Sequence, residues 1–285
     1  SMATRELYNE PLFIDKNANK PFFLYWAPKA PHGPATAAPE DLDKFLDFKY
    51  DVPSRHETDI SDKPEYVRNK EYEDTEDEED SDHEGFPIKQ LQSIQAVDRS
   101  IEDIINKLKE KKILDKTIII FAGDNGYMWG EHGLWKKGQP YEESIRIPLI
   151  IKTPTSKKLT NNDLVAMNID VPTTVLWYTG ITKKTGGLTL SPIIENKKPE
   201  WRTGAVMQYW GNRPYDEGDR NTGTTDWAGY RTNDMKYVEY VTGEKEFYDL
   251  SEDPYELENQ INNPDYQREI QEFSNILKER AGISM

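Results

Sequence analysis

The 285-residue sequence predicts an α/β fold with a smaller antiparallel sheet and a helix at its carboxyl end. Three observations carry that prediction. Ile88, Leu91, Ile94, Val97, Ile101, Ile104 and Leu108 recur at three- and four-residue steps, the stripe of an amphipathic helix. The β-branched run TIIIF (117–121) follows and leads into a glycine-containing loop, and IRIPLIIKTP (145–154) reads as another strand. Helix, buried strand and polar loop in succession are the grammar of a sheet covered on both faces. After Trp201 the texture turns to alternation in AVMQYW, WAGYRT and MKYVEYVTGEKEFYDL. A turn at Thr242-Gly243-Glu244 joins two of these runs into a hairpin, and a last helix is predicted near 265–281.

The remaining elements follow in order. PFFLYWA (21–27) predicts a buried strand. The next segment carries Pro28, Pro31, Gly33, Pro34 and Pro39, which exclude helix and central strand. Residues 40–70 read as irregular polar chain with one short helix. EYEDTEDEEDSDHE (71–84) holds ten acidic residues in fourteen and predicts a solvated insertion with no core of its own. NIDVPTTVLWYTG (168–180) predicts a helix with Asp170 as its cap and Pro172 in its first turn. No internal repeat is present. The expected division is a main α/β domain over 1–195, with the insertion inside it, and a small α+β domain over 196–285.

Composition limits the function. An apolar fraction of 35% is low for this length, although 7 Trp, 16 Tyr and 9 Phe supply large surfaces to bury. The formal charge of −16 argues against a nucleic-acid or anionic-membrane partner; without the ten carboxylates of the insertion it is about −6. No apolar run of membrane-spanning length occurs. With no cysteine, disulfides, thiolate metal sites and a cysteine nucleophile are excluded. Ser1-Met2-Ala3 reads as an expression scar, and no signal peptide is visible.

Ligands of open α/β sheets sit beyond the carboxyl ends of strands. PKAPHGP and AGDNGYMWGEHGLWKK both leave predicted strands there, so both are expected on one rim. Asp124 and Asn125 offer hard oxygen ligands suited to Ca²⁺ or Mg²⁺, and Gly123 and Gly126 let the backbone bend enough for them to converge. Lys136 or Lys137 could hold an anion as a point charge, and His32 and His132 could donate to an anionic oxygen. Plainer readings stand beside these. Asp-Asn-Gly is ordinary turn chemistry, His132 and Trp135 could pack on a sheet edge, and His32 could be a capped loop histidine. Glu142 and Arg146 read as a structural pair, and His56 and His83 lie in polar or acidic chain.

KPFFLYWAPKAPHGPATAAPE, the helix with QAVDRSIEDIINKL, TIIIFAGDNGYMWGEHGLWKKGQPYEESIRIPLII and MKYVEYVTGEKEFYDLSEDPYELEN together resemble the type I sulfatases. These are formylglycine-dependent hydrolases of the alkaline-phosphatase-like superfamily. The segments occur in the family's order and cover nearly the whole chain outside the insertion. The resemblance implies part of an alkaline-phosphatase-like sandwich with a smaller C-terminal sheet, and calcium-dependent hydrolysis of a sulfate ester. It implies that Asp124 and Asn125 are two metal ligands, that Lys137 in K-x-x-x-Y-E contacts the sulfate, that His32 stands beside the scissile oxygen, and that His132 lines the pocket. It also implies a sulfated small molecule or glycan as substrate and an extracellular, periplasmic or lysosomal setting.

One part of the family's pattern is missing. The metal-binding Asp pair and the C/S-x-P-x-R motif that becomes formylglycine are not in this sequence. Asp51-Val52-Pro53-Ser54-Arg55 is the nearest match, but it has aspartate where the modifiable residue must be and lies downstream of His32. A carboxylate cannot become an aldehyde hydrate, so this match is a decoy. The chain therefore reads as the carboxyl-terminal portion of a sulfatase, inactive by itself, whose partner is the missing amino-terminal half. The alternatives are a related phosphatase or phosphodiesterase, for which four scattered histidines are few, and a non-catalytic binding or interaction protein.

Overall fold

The computed structural model describes residues 10–69, 85–156, 165–197, 199–210 and 224–281. The acidic stretch 71–84, with His83, and the Ser1-Met2-Ala3 start lie outside the described residues. In chain order the elements are α1 (Glu10–Asn17), α2 (Glu65–Arg68), α3 (Phe86–Glu110), β1 (Ile119–Ala122), β2 (Met128–Trp129), β3 (Trp135–Lys136), α4 (Glu142–Ile145) and β4 (Leu149–Lys152). They continue with α5 (Asp170–Thr179), α6 (Ser191–Ile194), β5 (Gly204–Tyr209), β6 (Trp227–Thr232), β7 (Met235–Tyr240), β8 (Lys245–Asp249) and α7 (Gln267–Ala281). The described residues divide into two compact units. One lies within Ser1–Asp51, Tyr72–Ile119 and Lys152–Pro154, and the other within Val52–Glu71, Ile120–Ile151 and Thr155–Met285.

In the first unit α3 is the organising element, with Pro87 in its first turn where a missing N–H costs nothing. Lys107 and Lys111 near its end reach Asp15 of α1 at 3.5 and 2.6 Å. Of the predicted apolar stripe only Val97 and Leu108 are fully buried. Gln90, Gln92 and Ser93 are buried as well, because the polar positions have tethering to do. Gln90 donates to the Pro31 carbonyl (3.1 Å), and Gln92 to those of Leu42 and Lys44 (3.0 and 2.8 Å). Arg99 grips Asp41 with two nitrogens at 2.9 and 2.6 Å. Hydrogen bonds from Arg99, aided by Lys44, outweigh burial and hold the Asp41 carboxyl down at about 2. The strand expected at 21–27 is not formed. That run is extended but has no ladder partner among the described residues, and its side chains alternate, with Phe23 68% and Tyr25 81% exposed.

The second unit contains residues 120–122 of β1 and 149–151 of β4, which pair, the short β2–β3 hairpin and a four-stranded antiparallel meander in the order β5-β6-β7-β8. The strand predicted over 145–154 is shorter, because Ile145 ends α4 and Pro148, which has no N–H, offers the ladder only its carbonyl. The meander follows the predicted alternation, and Gly243 (φ +87°) makes the turn that closes β7 onto β8. One face packs Ala228, Tyr230, Tyr237 and Phe247 against Ile270, Phe273 and Leu277 of α7. Period two sends Trp227, Arg231, Lys236, Val238, Tyr240, Glu246 and Tyr248 to the other face. Asp170 is no simple cap. It is buried in the first turn of α5, accepts from the Met167 and Leu188 amides at 2.8 and 2.7 Å, and forms a bidentate pair with Arg202.

The Asp41 assignment has a pH signature. A carboxyl held low in the folded state contributes stability that is fully present above 3.8 and is lost as pH falls through about 2. Asp41→Asn is expected to cost on the order of 2 kcal/mol at neutral pH. It should also flatten the acid limb of Tm between pH 4 and 2, and an acid limb identical to that of the wild type would remove the pair from the account.

Candidate active site

The loop after β1 continues the β1–β4 ladder for one more bond, Gly123 N–H to the Pro148 carbonyl at 3.3 Å, and then turns. Asp124 Oδ1 accepts the Asn125 amide at 2.9 Å, and Asn125 Nδ2 donates to the Gly126 carbonyl at 2.8 Å. Both side chains are exposed. With the amide nitrogen committed to backbone, Asn125 Oδ1 remains as a second oxygen of the hard type beside Asp124 in sequence. The turn is locked from behind: Gly126 donates to the Ser144 carbonyl at 2.9 Å, and a Cβ at Gly126 would lie 2.0 Å from the Glu143 carbonyl oxygen.

Residues 130–133 carry three left-handed conformations, at Gly130 (φ +102°), His132 (φ +52°) and Gly133 (φ +67°). Glycine supplies this freely, and histidine is among the side chains that tolerate it. His132 is only 3% exposed. Its Nδ1 lies 2.6 Å from Glu57 Oε2, its ring stacks on Tyr141 with centroids 4.2 Å apart, and its Nε2 is buried without a hydrogen-bond partner. Glu57 in turn faces Lys63 at 3.1 Å, and Lys63 donates to the carbonyls of Glu256 and Leu257, each at 2.8 Å.

Lys137 is half-buried between two further left-handed residues, Lys136 (φ +72°) and Gly138 (φ +92°). Gly138 donates to Ser144 Oγ at 3.1 Å. Ser144 thus receives the Gly126 amide on its carbonyl and the Gly138 amide on its hydroxyl, which ties the Asp124–Asn125 turn and the loop after Lys137 to one residue of α4. Beneath the loop, Trp227 Nε1 donates to the Gly138 carbonyl (2.8 Å), Thr224 bonds the Gln139 side chain, and Lys236 donates to the Pro140 carbonyl (2.6 Å). Tyr141, Tyr240 and Tyr248 all donate to the fully buried Glu246. Burial, followed by the charge of Glu246, drives these three phenols well above their ordinary pKa.

The Glu142 pairing differs from expectation. Its carboxylate meets Arg231, at 3.1 and 2.9 Å, because α4 lies on the sheet face that carries Arg231. Burial raises the Glu142 carboxyl, but Lys236 and Arg231 outweigh it and hold it below its ordinary value, with Arg146 a smaller contributor. Glu256 accepts the Glu142 amide at 2.8 Å and pairs with Lys236. Its burial prevails over Lys236 and lifts the carboxyl to about 7. The DVPSR segment is a single helical turn, Pro53–Arg55, with Ser54 buried and the Arg55 guanidinium 6.0 Å from the Trp135 ring centroid.

His32 belongs to the first unit. It is exposed, and its loop is closed by His32 N–H to the Lys29 carbonyl (2.8 Å) and Ala35 N–H to the His32 carbonyl (3.1 Å). Its Nδ1 donates to the Gly33 carbonyl at 3.1 Å, which leaves Nε2 for a ligand. Sequence reasoning missed Glu57, Lys63, Arg231, Lys236, Glu246 and Glu256. The β7 alternation would have put Lys236 on an inward face; nothing local pointed to Glu57.

Among the described residues no group of three or more His, Cys, Asp and Glu converges to hold a metal. What Asp124 and Asn125 offer is two oxygens of the hard type, which fits part of the coordination shell of a Ca²⁺-like ion and leaves the rest to other ligands.

Those two oxygens and the lysine loop behind them sit on an architecture that known proteins share. The sulfatase family model matches residues 2–181, and the chain belongs to that family. A model of the C-terminal region of N-sulphoglucosamine sulphohydrolase matches residues 130–282. The relatives include an N-acetylglucosamine-6-O-sulfatase of Bacteroides thetaiotaomicron, 32% identical over 66% of this chain and 34% of that protein. An arylsulfatase of Clostridium perfringens is 32% identical over 67% of this chain and 39% of its own length. The chain thus spans less than half the length of these curated relatives. Among solved structures, BT4656 in complex with its substrate D-glucosamine-2-N,6-O-disulfate superposes with a TM-score of 0.79 at 24% identity, over 95% of this chain and 69% of that one. The phosphonate monoester hydrolase of Agrobacterium radiobacter gives a TM-score of 0.60 at 25% identity, over 70% of this chain and 42% of that one. The fold is therefore the alkaline-phosphatase-like α/β fold with a C-terminal sheet, as the sequence predicted.

Two measurements check the geometry. Gly126→Ala is expected to cost about 2–3 kcal/mol through its clash with the Glu143 carbonyl, and to shift backbone resonances at both 124–126 and 142–144. A silent substitution would contradict the close approach. Because the Glu256 carboxyl is raised from 4.5, it contributes stability that is fully present below 4.5 and is lost as pH rises through about 7. Glu256→Gln keeps an acceptor for the Glu142 amide and should flatten the decline of Tm between pH 5 and 8; a wild-type slope would contradict the assignment.

Proposed function

We propose that this chain carries the sulfate-holding residues and part of the metal site of a sulfate ester hydrolase. The observation that supports this most is the double role of Ser144, which keeps the Asp124–Asn125 turn and the Lys137 loop together. In this reading Asp124 and Asn125 hold a hard divalent cation, Ca²⁺ by family resemblance, which would draw charge from a sulfate oxygen. Lys137 balances the charge that the sulfate carries in both ground and transition states. By family resemblance His32 is the donor of a proton to the leaving ester oxygen, and its Nδ1 bond to the Gly33 carbonyl leaves Nε2 for that role. His132 enters as a lining residue through its one uncommitted atom, Nε2, while Glu57 and Tyr141 fix its ring. The nucleophile and the remaining cation ligands come from an amino-terminal portion with C/S-x-P-x-R. The substrate class is a sulfated glycan or small aryl sulfate, and the setting lies outside the cytosol. No described helix is long and apolar enough to cross a membrane.

A second reading is hydrolysis of a phosphonate or phosphate ester, which presents a similar tetrahedral oxyanion to the same residues. It is favoured by the likeness to the phosphonate monoester hydrolase. The absence of the cysteine or serine motif from the 285 residues leads to a direct expectation: this chain alone should not turn over an aryl sulfate, with or without calcium. Turnover by contaminant-free protein would force a new search for the nucleophile. In an enzyme completed with the motif-bearing portion, Asp124→Ala should lower bound metal and activity most, and Asn125→Ala less, because it removes a neutral ligand. Lys137→Ala should raise KM and lower kcat together, by roughly 10-fold or more in kcat/KM. Metal content unchanged in Asp124→Ala would sink the ligand assignment, and a preference for phosphonate over sulfate esters would select the second reading.

A further inference from the structure

We infer that the face of the C-terminal sheet turned away from α7 is a mould that sets the spacing between Lys137 and the Asp124–Asn125 pair, and that Lys236 is the positioning residue at its centre. The inference rests on the proposed roles of those three residues. Each residue from Gly138 to Glu142 is held by a different side chain of the sheet or its flanks. Trp227 bonds the Gly138 carbonyl, Thr224 the Gln139 side chain, Lys236 the Pro140 carbonyl, Glu246 the Tyr141 hydroxyl, and Arg231 the Glu142 carboxylate. The close approach needs a glycine at 138, where a Cβ would lie 2.8 Å from the Tyr209 ring.

A surface loop needs no such continuous grip, since water satisfies its backbone. This one begins at Lys137, directly after Lys136, whose positive φ is sparsely populated for a non-glycine residue and persists only where surrounding contacts over-determine it. The grip passes onward through α4. The Glu142 amide is tied to Glu256, and two residues later Ser144 takes the Gly126 amide on its carbonyl and the Gly138 amide on its hydroxyl. A displacement of 140–142 therefore moves the lysine loop and the Asp-Asn turn together.

Lys236 stands where these bonds meet. It is fully buried, donates to the Pro140 carbonyl at 2.6 Å, pairs with Glu256 and lies 3.9 Å from Glu142. An apolar residue of similar volume could fill the space at comparable stability, because ion desolvation offsets much of the attraction within a buried pair. It could not hold a carbonyl at a fixed point. The charge thus acts on geometry, and stability and geometry can be separated experimentally.

The test uses the 285-residue chain, with amide hydrogen exchange and inorganic sulfate titration read by NMR. Lys236→Met/Glu256→Gln removes both charges together, so that neither is left buried alone. The expected result is a Tm within a few degrees of wild type, exchange at Gly126, Gly138 and Glu142 faster by roughly 10-fold relative to β6 and β7 amides, and sulfate affinity reduced about 5–10-fold. Trp227→Phe, which removes the bond to the Gly138 carbonyl and part of the packing against Tyr209, should give a smaller effect centred on the same loop and serves if the double variant does not fold. A role in global stability alone would accelerate all amides in proportion, and that result overturns the mould. Lys137→Ala separates the two readings. If it leaves sulfate affinity unchanged, the sulfate role of Lys137 falls, and the exchange pattern at Gly126 and Gly138 decides the mould by itself.

Discussion

Arg231 and Lys236 are cross-strand partners in the β6–β7 register and emerge on the same face of the sheet. Like charges directly opposite each other destabilise a sheet, and Lys236 is removed from water altogether. Groups brought in from outside the sheet offset part of this cost. Glu142 bridges toward both cations, and Glu256 pairs with Lys236. Glu142 belongs to α4, immediately after the lysine loop, and Glu256 belongs to the chain after β8. The electrostatic need of one pair of strands thus draws two distant segments onto the sheet face. The same contacts decide where residues 138–144 lie.

Glu256 adds a backbone constraint. It is one of few non-glycine residues with positive φ (57°), and its carbonyl accepts from Lys63. Lys63 then meets Glu57, which orients His132, whose ring lies on Tyr141. Through these steps Glu256 reaches the base of the 130–133 hairpin as well. Glu246 contributes a second anchor of another kind, since a buried carboxyl with three phenol donors has its acceptor capacity largely satisfied. Such networks are costly when half satisfied, so each member restricts what its neighbours can become.

What the sequence could disclose follows from which interactions are local. The period-two runs of β5 to β8, the Thr-Gly-Glu turn and the 3.6-residue stripe of α3 were legible, because each is written in consecutive residues. So was the family, through the dense segment from TIIIF to IRIPLII. The Glu142 partner was not: Arg146 sits four residues away, whereas Arg231 arrives only once the meander has folded. Asp170 read as a cap from its place before Pro172, but its partner Arg202 and the Leu188 amide are contributed by later chain. The apolar run 21–27 announced a strand correctly as to extended backbone. A strand also needs a neighbour, and hydrophobicity does not say whether one is present.

The division between the buried support and the residues assigned the chemistry in the proposed function is visible in exposure. Asp124, Asn125 and His32 are exposed and Lys137 is half-buried, so none contributes much to a core. The residues that set the positions of the second-unit three are buried: Ser144, Gln139, Tyr141, Lys236, Glu246 and Glu256. A flexible lysine can cradle a tetrahedral anion as a point charge only if its backbone is fixed, since its own stem supplies no rigidity. Holding the loop from beneath with buried charge leaves the outer side of Lys137 and the oxygens of Asp124 and Asn125 available to ligands. A loop held instead by apolar packing would need large side chains at its own positions, and the tight approach at Gly138 excludes them. The glycine above and the buried cation below are therefore two halves of one solution: the first lets the backbone come down onto the sheet, and the second gives it a defined place to stop.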